Sequence, residues 1–145
     1  MKQSLSHTVW ECKYHVVWVP KLRRKVIYGQ LRRDVGQIIR KLCDYKGVGL
    51  LEGKACIDHI HLCLSIPPKY AVATIVGYLK GKSAMIVFER HSRLKRNFKG
   101  HSFWARGYYA STVGLDEARI RKYIQDQEIN GSVEDKYDRD LSNPF

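Results

Sequence analysis

At 145 residues, with 44% hydrophobic residues, four prolines and no low-complexity tract, the chain has the length and composition of one globular domain rather than a disordered segment. Lys and Arg number 26 against 14 Asp and Glu, a formal net charge of +12. Residues 130–145 are themselves net −2, so +14 falls on residues 1–129, and a neutral or basic partner is disfavoured relative to a polyanion.

Residues 9–19 alternate, with Trp10, Cys12, Tyr14, Val16 and Trp18 on one face and Glu11, Lys13, His15 and Val17 on the other. This predicts one long strand with a buried face, ended by Pro20 and the basic run Lys21–Lys25. Leu31, Val35, Ile38, Ile39 and Leu42 recur at helical spacing, so an amphipathic helix follows and closes at Gly47. Residues 48–56 and 58–66 read as two further strands, with Cys56-Ile57-Asp58 as the bend between them and Pro67-Pro68 as the stop. A second helix is predicted over 70–90, then a basic loop over 91–101 and a fourth strand over 103–112. Asp116 and Glu117 mark the start of a last helix running to about residue 129, where Asn130-Gly131 ends it.

Strand, helix, strand, strand, helix, strand is the order of an α+β, ferredoxin-like or RRM-like split βαβ fold. In it a four-stranded antiparallel sheet carries two helices on one face, here with an additional C-terminal helix. Residues 1–129 form the expected domain and 130–145 a polar tail. No apolar run approaches the roughly 20 residues that cross a bilayer, and the N-terminus lacks the apolar stretch of a signal peptide. No strongly amphipathic membrane helix is evident either, so nucleic acid is favoured over an anionic membrane. The expected location is the cytoplasm, in association with the nucleoid. Four cysteines without a CxxC pair read as reduced thiols, each a small buried hydrophobe.

The chemistry concentrates in Asp58-His59-Ile60-His61-Leu62-Cys63-Leu64-Ser65-Ile66. Alternation turns Ile60, Leu62, Leu64 and Ile66 to the helix-covered core. It turns His59, His61, Cys63 and Ser65 to the opposite face, which is expected to be open. The two histidines stand about 6.5–7 Å apart at Cα, close enough for both imidazoles to converge on one divalent ion. The triplet alone is weak evidence, since a chain with six histidines yields an H-x-H by chance about one time in four. The second element is Tyr123 with Gln127, one helical turn apart. A phenol of pKa about 10 is a poor nucleophile at neutral pH unless a neighbouring cation lowers the cost of its phenolate. A metal on His59, His61 and the Gln127 carboxamide oxygen would supply that help and polarise a scissile phosphate.

Four blocks, in order, carry a family resemblance: Lys13–Lys21 followed by Arg23-Arg24, Asp58–Leu62, Tyr78–Ser83, and Tyr123 with Gln127. Together they resemble the single-tyrosine HUH transposases of small bacterial insertion sequences, the single-strand DNA transposases, over roughly residues 7–129. The resemblance implies an RRM-like fold and a homodimer, with Mg²⁺ or Mn²⁺ on His59, His61 and Gln127. It also implies Tyr123 as the nucleophile that forms a 5′-phosphotyrosine intermediate, and single-stranded DNA with a hairpin at the transposon end as ligand. In such a dimer the tyrosine helix can complete the partner's active site in trans. Independently, moving a DNA segment needs a cut at each end, and one nucleophile per chain then favours two chains.

Arg23, Arg24, Lys80, Lys82, Arg93, Lys95, Arg96 and Lys99 are the expected DNA contacts, with Lys25, Arg90 and Arg106 nearby. Tyr78, Phe98, Phe103, Trp104, Tyr108 and Tyr109 interleave with them as candidates for base stacking, although core packing is the ordinary role of Trp104. Three other readings fit parts of the chain. A non-catalytic RRM-like module for structured DNA or RNA leaves the His59, His61, Tyr123 and Gln127 set unused. A zinc hydrolase built on His59, His61 and a cysteine such as Cys63 leaves Tyr123 without a role. A domesticated HUH endonuclease that cleaves without transposing uses the whole set.

Overall fold

The computed structural model describes residues 3–5, 8–10, 12–98 and 102–113. Tyr123, Gln127, Lys99, the expected helix to residue 129 and the tail from 130 lie outside the described residues.

The chain begins with a hairpin that composition did not announce. Strand β1 (Gln3–Leu5) pairs antiparallel with β2 (Thr8–Trp10) as a separate two-stranded sheet. The single strand expected over 9–19 is therefore two strands in different sheets, β2 and then β3 (Lys13–Trp18). Alternation continues across a break in pairing, which is why periodicity alone runs the two together.

After Pro20 a short 3₁₀ turn, Lys21–Arg23, reverses the chain. Leu22 and Arg23 both take left-handed backbone angles, with φ of 59° and 50°. Non-glycine residues adopt these only where surrounding contacts hold them there. Helix α1 (Gly29–Tyr45) buries Leu31, Val35, Ile38, Ile39 and Leu42, the stripe its sequence spacing predicts. Gly47, at φ 66°, lets Val48 N–H turn back to donate to the Cys43 carbonyl at 2.9 Å and so stops the helix.

Strands β4 (Gly49–Cys56) and β5 (His59–Ser65) form a hairpin whose turn is only Ile57-Asp58. Helix α2 (Val72–Arg90) follows, then one extra turn, α3 (Ser92–Lys95), inside the stretch expected to be loop. Strand β6 (Tyr109–Thr112) is shorter than the predicted 103–112. Trp104 makes only an isolated bridge to Pro20, and Gly107 at φ 82° breaks the extended run before pairing resumes.

The four main strands are antiparallel in the order β4-β5-β3-β6, the split βαβ arrangement expected. On one face Val16, Trp18, Ile60, Leu62, Leu64 and Ile66 pack against α1 and α2 in a single buried cluster. Each such aliphatic side chain removed from water contributes roughly 1.5–3 kcal/mol. This face fixes the register, because a one-residue slip of β5 would turn two histidines into the core. At the far end His91 and Asp34 tie α2 to α1 through a 2.6 Å contact. Among the described residues no helix is long and apolar enough to cross a membrane.

Candidate metal centre and active site

The helix-free face of the sheet carries His15 from β3, Cys56 from the end of β4, and His59 and His61 from β5. Register places them side by side: Cys56 pairs with His59, Lys54 with His61, and His15 with Cys63. The imidazoles of His59 and His61 meet edge to face with centroids 4.4 Å apart, and His15 stacks on His61 at 5.8 Å. The orientation is the one alternation predicts. The openness is not, because His59 and His61 are fully buried and His15 is 3% exposed. Alternation says which way a side chain points but not whether water reaches it.

Burial decides the charge on the His15 and His61 rings. Removal from water pushes the His15 imidazole down to about 4 and His61 down to about 2, with the neighbouring histidines adding to the shift at His61. Both are therefore neutral at pH 7 and keep a lone pair. His59 is set by its neighbour: its Nδ1 lies 2.6 Å from Asp58 Oδ1. The Asp58 carboxyl is held below the usual range, first by that bond and further by the charge and hydrogen bond of Arg23, against an opposing desolvation. An ionised Asp58 makes Nδ1 the protonated nitrogen, so Nε2 presents its lone pair. Nε2 is buried with no hydrogen-bond partner among the described residues. A buried polar atom left in that state is costly, and a metal ion is one thing that satisfies it. The donor set thus fits a divalent cation. Cys56, His59 and His61 bring their ligand atoms within 4.8 Å of one another.

Behind the histidines, Arg23 Nη2 donates to Asp58 Oδ2 at 3.2 Å. Arg23, expected on DNA, thereby reaches the site through Asp58, from a left-handed backbone position. Two partners were missed by sequence reasoning, Cys56 and Asp58. The signal for Cys56 lay in the two-residue turn, which makes it the direct cross-strand neighbour of His59. Cys63, the thiol favoured in the zinc reading, instead packs with Val113 and Leu51.

The remaining basic residues divide. Lys82, Arg93, Lys95 and Arg96 are exposed along α2 and α3. Lys80 is turned inward: its ammonium donates to the carbonyls of Ala105 and Gly107, each at 2.7 Å, and half-burial lowers its pKa. The Arg24 guanidinium sits 5.0 Å over the Phe98 ring. Phe98, Phe103 and Trp104 are core residues rather than stacking platforms, with exposures of 2%, 0% and 4%. The Trp104 indole N–H donates to Ser83 Oγ at 2.8 Å. Tyr108 and Tyr109 are partly exposed, and the Tyr109 ring meets His15 edge to face with centroids 6.1 Å apart. A cleft of about 800 Å³ between α2, α3 and the 102–106 segment is lined by Lys80, Met85, Phe88, Lys95, Trp104 and Arg106.

Among the described residues, a four-stranded sheet of RRM-like topology carries on its helix-free face a histidine pair and a buried imidazole nitrogen without a partner, a face that could hold a metal ion. The family described as "Transposase IS200 like" matches residues 8–127. The transposase for insertion sequence element IS200 of Salmonella typhimurium is 49% identical over 144 residues, which is 99% of this chain and 92% of that protein. The ISDra2 transposase TnpA of Deinococcus radiodurans is 32% identical over 128 residues, covering 88% and 91%. A crystal structure of a transposase from D. radiodurans matches at TM-score 0.72 and 29% identity, covering 88% of this chain and 98% of that one. A REP-associated tyrosine transposase bound to a REP hairpin matches at TM-score 0.65 over 99% and 87%, and at 12% identity that likeness is one of fold. The chain belongs to the IS200-like transposase family.

Proposed function

We propose that this transposase cleaves and rejoins single-stranded DNA at transposon ends through Tyr123, with a divalent ion, Mg²⁺ or Mn²⁺, on His59, His61 and Gln127. The observation that carries the reading is the His59 Nε2 atom, buried without a hydrogen-bond partner among the described residues, beside the neutral His61. Bound there, a divalent cation would offset charge on the scissile phosphate and on the phenolate. The residues do the rest. The Tyr123 phenol gives up its proton to solvent, which returns one to the leaving oxygen, and the phenolate oxygen attacks phosphorus, forming a Tyr–O–P bond to the 5′ side. The P–O3′ bond breaks and the released 3′ oxygen takes a proton. The ester conserves the energy of the broken phosphodiester, so a new 3′-hydroxyl reverses the step without ATP. Asp58 holds His59 in one tautomer throughout, and Arg23 holds Asp58.

A cut at each end with one nucleophile per chain supports a homodimer, in which Tyr123 would serve its own or its partner's site. The DNA ligand is a hairpin with a flanking single strand. That assignment is supported by the basic surface of Arg24, Lys82, Arg93, Lys95 and Arg96, by the further charge of Lys99 in the sequence, and by the hairpin-bound fold relative. Arg23 and Lys80 contribute to it indirectly, by shaping the 21–25 and 105–107 segments. Residues 1–129 are the catalytic domain and 130–145 a polar appendage.

The test is incubation with Mg²⁺ and labelled single-stranded DNA carrying an end hairpin, followed by denaturing electrophoresis. A covalent protein–DNA species is expected from the native chain and not from Tyr123→Phe, which keeps DNA binding. Cleavage that releases a free 5′-phosphate would overturn the assignment.

A further inference from the structure

The ion that suits phosphoryl transfer is hard and favours oxygen ligands, yet the face carries a thiol among its nitrogens. Cys56 is 4% exposed and closes the hairpin beside His59. Its sulfur and the nitrogens of His59 and His61 lie within 4.8 Å of one another. On a tetrahedral zinc such atoms stand about 3.3–3.6 Å apart, so the pocket needs to contract by at most about 1.5 Å, within the reach of side-chain torsions. The pocket also has an acceptor of its own, because His59 Nε2 is fully buried and unsatisfied among the described residues. Asp58 on His59 Nδ1 adds the carboxylate–histidine pair that commonly backs a zinc-bound imidazole.

We propose that Cys56, His59 and His61 form a site for a borderline-soft divalent ion of the zinc class, and that its occupancy competes with the hard ion of strand transfer. The proposal rests on the reading of the histidine pair as metal ligands and deepens it. One thiolate and two imidazoles match the protein donors of three-ligand zinc sites, and both imidazole and thiolate rank zinc and cobalt far above magnesium. On binding, the Cys56 thiol releases its proton to solvent and the sulfur becomes an anionic ligand, which no hard-ion role for the histidines requires. The zinc-loaded protein would hold the histidines away from Mg²⁺ and so be silent in strand transfer.

Cobalt(II) is the probe, since it takes zinc sites and reports its ligands by colour. Metal-free full-length protein titrated with Co²⁺ is expected to show visible d–d bands together with a near-ultraviolet thiolate-to-metal charge-transfer band. Zn²⁺ should abolish both and a large excess of Mg²⁺ neither. Cys56→Ser should lose the charge-transfer band and keep d–d bands from the histidines, whereas Cys63→Ser should keep both. Wild-type protein that binds Co²⁺ with d–d bands alone overturns Cys56 as a ligand while leaving the histidine pair standing. Failure to bind at all, or spectra that survive His59→Ala with His61→Ala, overturns this proposal and the histidine site beneath it.

Discussion

Removing the Asp58 carboxylate should weaken metal binding without touching a metal ligand. Asp58 uses both oxygens, Oδ1 on His59 Nδ1 at 2.6 Å and Oδ2 on Arg23 at 3.2 Å, and its side chain is 16% exposed. Asp58→Ala frees His59 to place its proton on either nitrogen and to turn its ring. Loss of such a supporting carboxylate costs about 10–100-fold in metal affinity, or roughly 1.4–2.8 kcal/mol. Asp58→Asn keeps an oxygen that accepts from Nδ1–H but loses the charge, and charged hydrogen bonds are about twice as strong as neutral ones. The expected order of Mn²⁺ affinity is therefore wild type, then Asn, then Ala, measured by electron paramagnetic resonance of free Mn²⁺. Circular dichroism should show all three folded. A Mn²⁺ affinity for Asp58→Ala equal to wild type would refute the claim that this carboxylate orients His59.

In chelator, stability should fall as pH drops below about 6.5. There the unfolded chain protonates its histidines, whereas burial keeps His15 neutral to about 4 and His61 to about 2. The unfolded state binds more protons across that window, so each histidine contributes a slope of up to about 1.4 kcal/mol per pH unit. Urea midpoints at pH 7, 6 and 5 that coincide would contradict this. Lys80→Met should lose about 1.5–3 kcal/mol of stability through its two carbonyl contacts, while Lys82→Met should stay within about 0.5 kcal/mol and weaken DNA binding instead. Paired urea melts and salt-dependent binding curves separate the two roles. Ser83→Ala leaves the buried Trp104 N–H without its acceptor and should cost about 1–3 kcal/mol in the same melts.

Much of this architecture was legible in the chain. Helices α1 and α2 and strands β4 and β5 follow from apolar spacing and from Gly47 and Pro67 as stops, because burying one face is what forms those elements. The facing of His59 and His61 came from the same alternation. What escaped depends on strand pairing and on contacts that periodicity does not encode. The break between β2 and β3 changes pairing without changing periodicity. Cys56 joins the histidines only through the register of a two-residue turn. Arg23 reaches Asp58 across 35 residues by way of left-handed angles that no propensity suggests for Leu22 or Arg23. Lys80 looked like a phosphate contact because its count of charge was visible and its two carbonyl partners were not. Phe98 and Phe103 are sealed in the core for the same reason.

The most direct test of the central claim is to isolate the covalent product and map it. Protein reacted with end-hairpin DNA and Mn²⁺ should be digested with nuclease and trypsin and sequenced by mass spectrometry. One modified peptide is expected, with the nucleotide phosphate ester on Tyr123 through the 5′ side of the cut. A phosphate on any other residue, or cleaved DNA with no modified peptide, would contradict it.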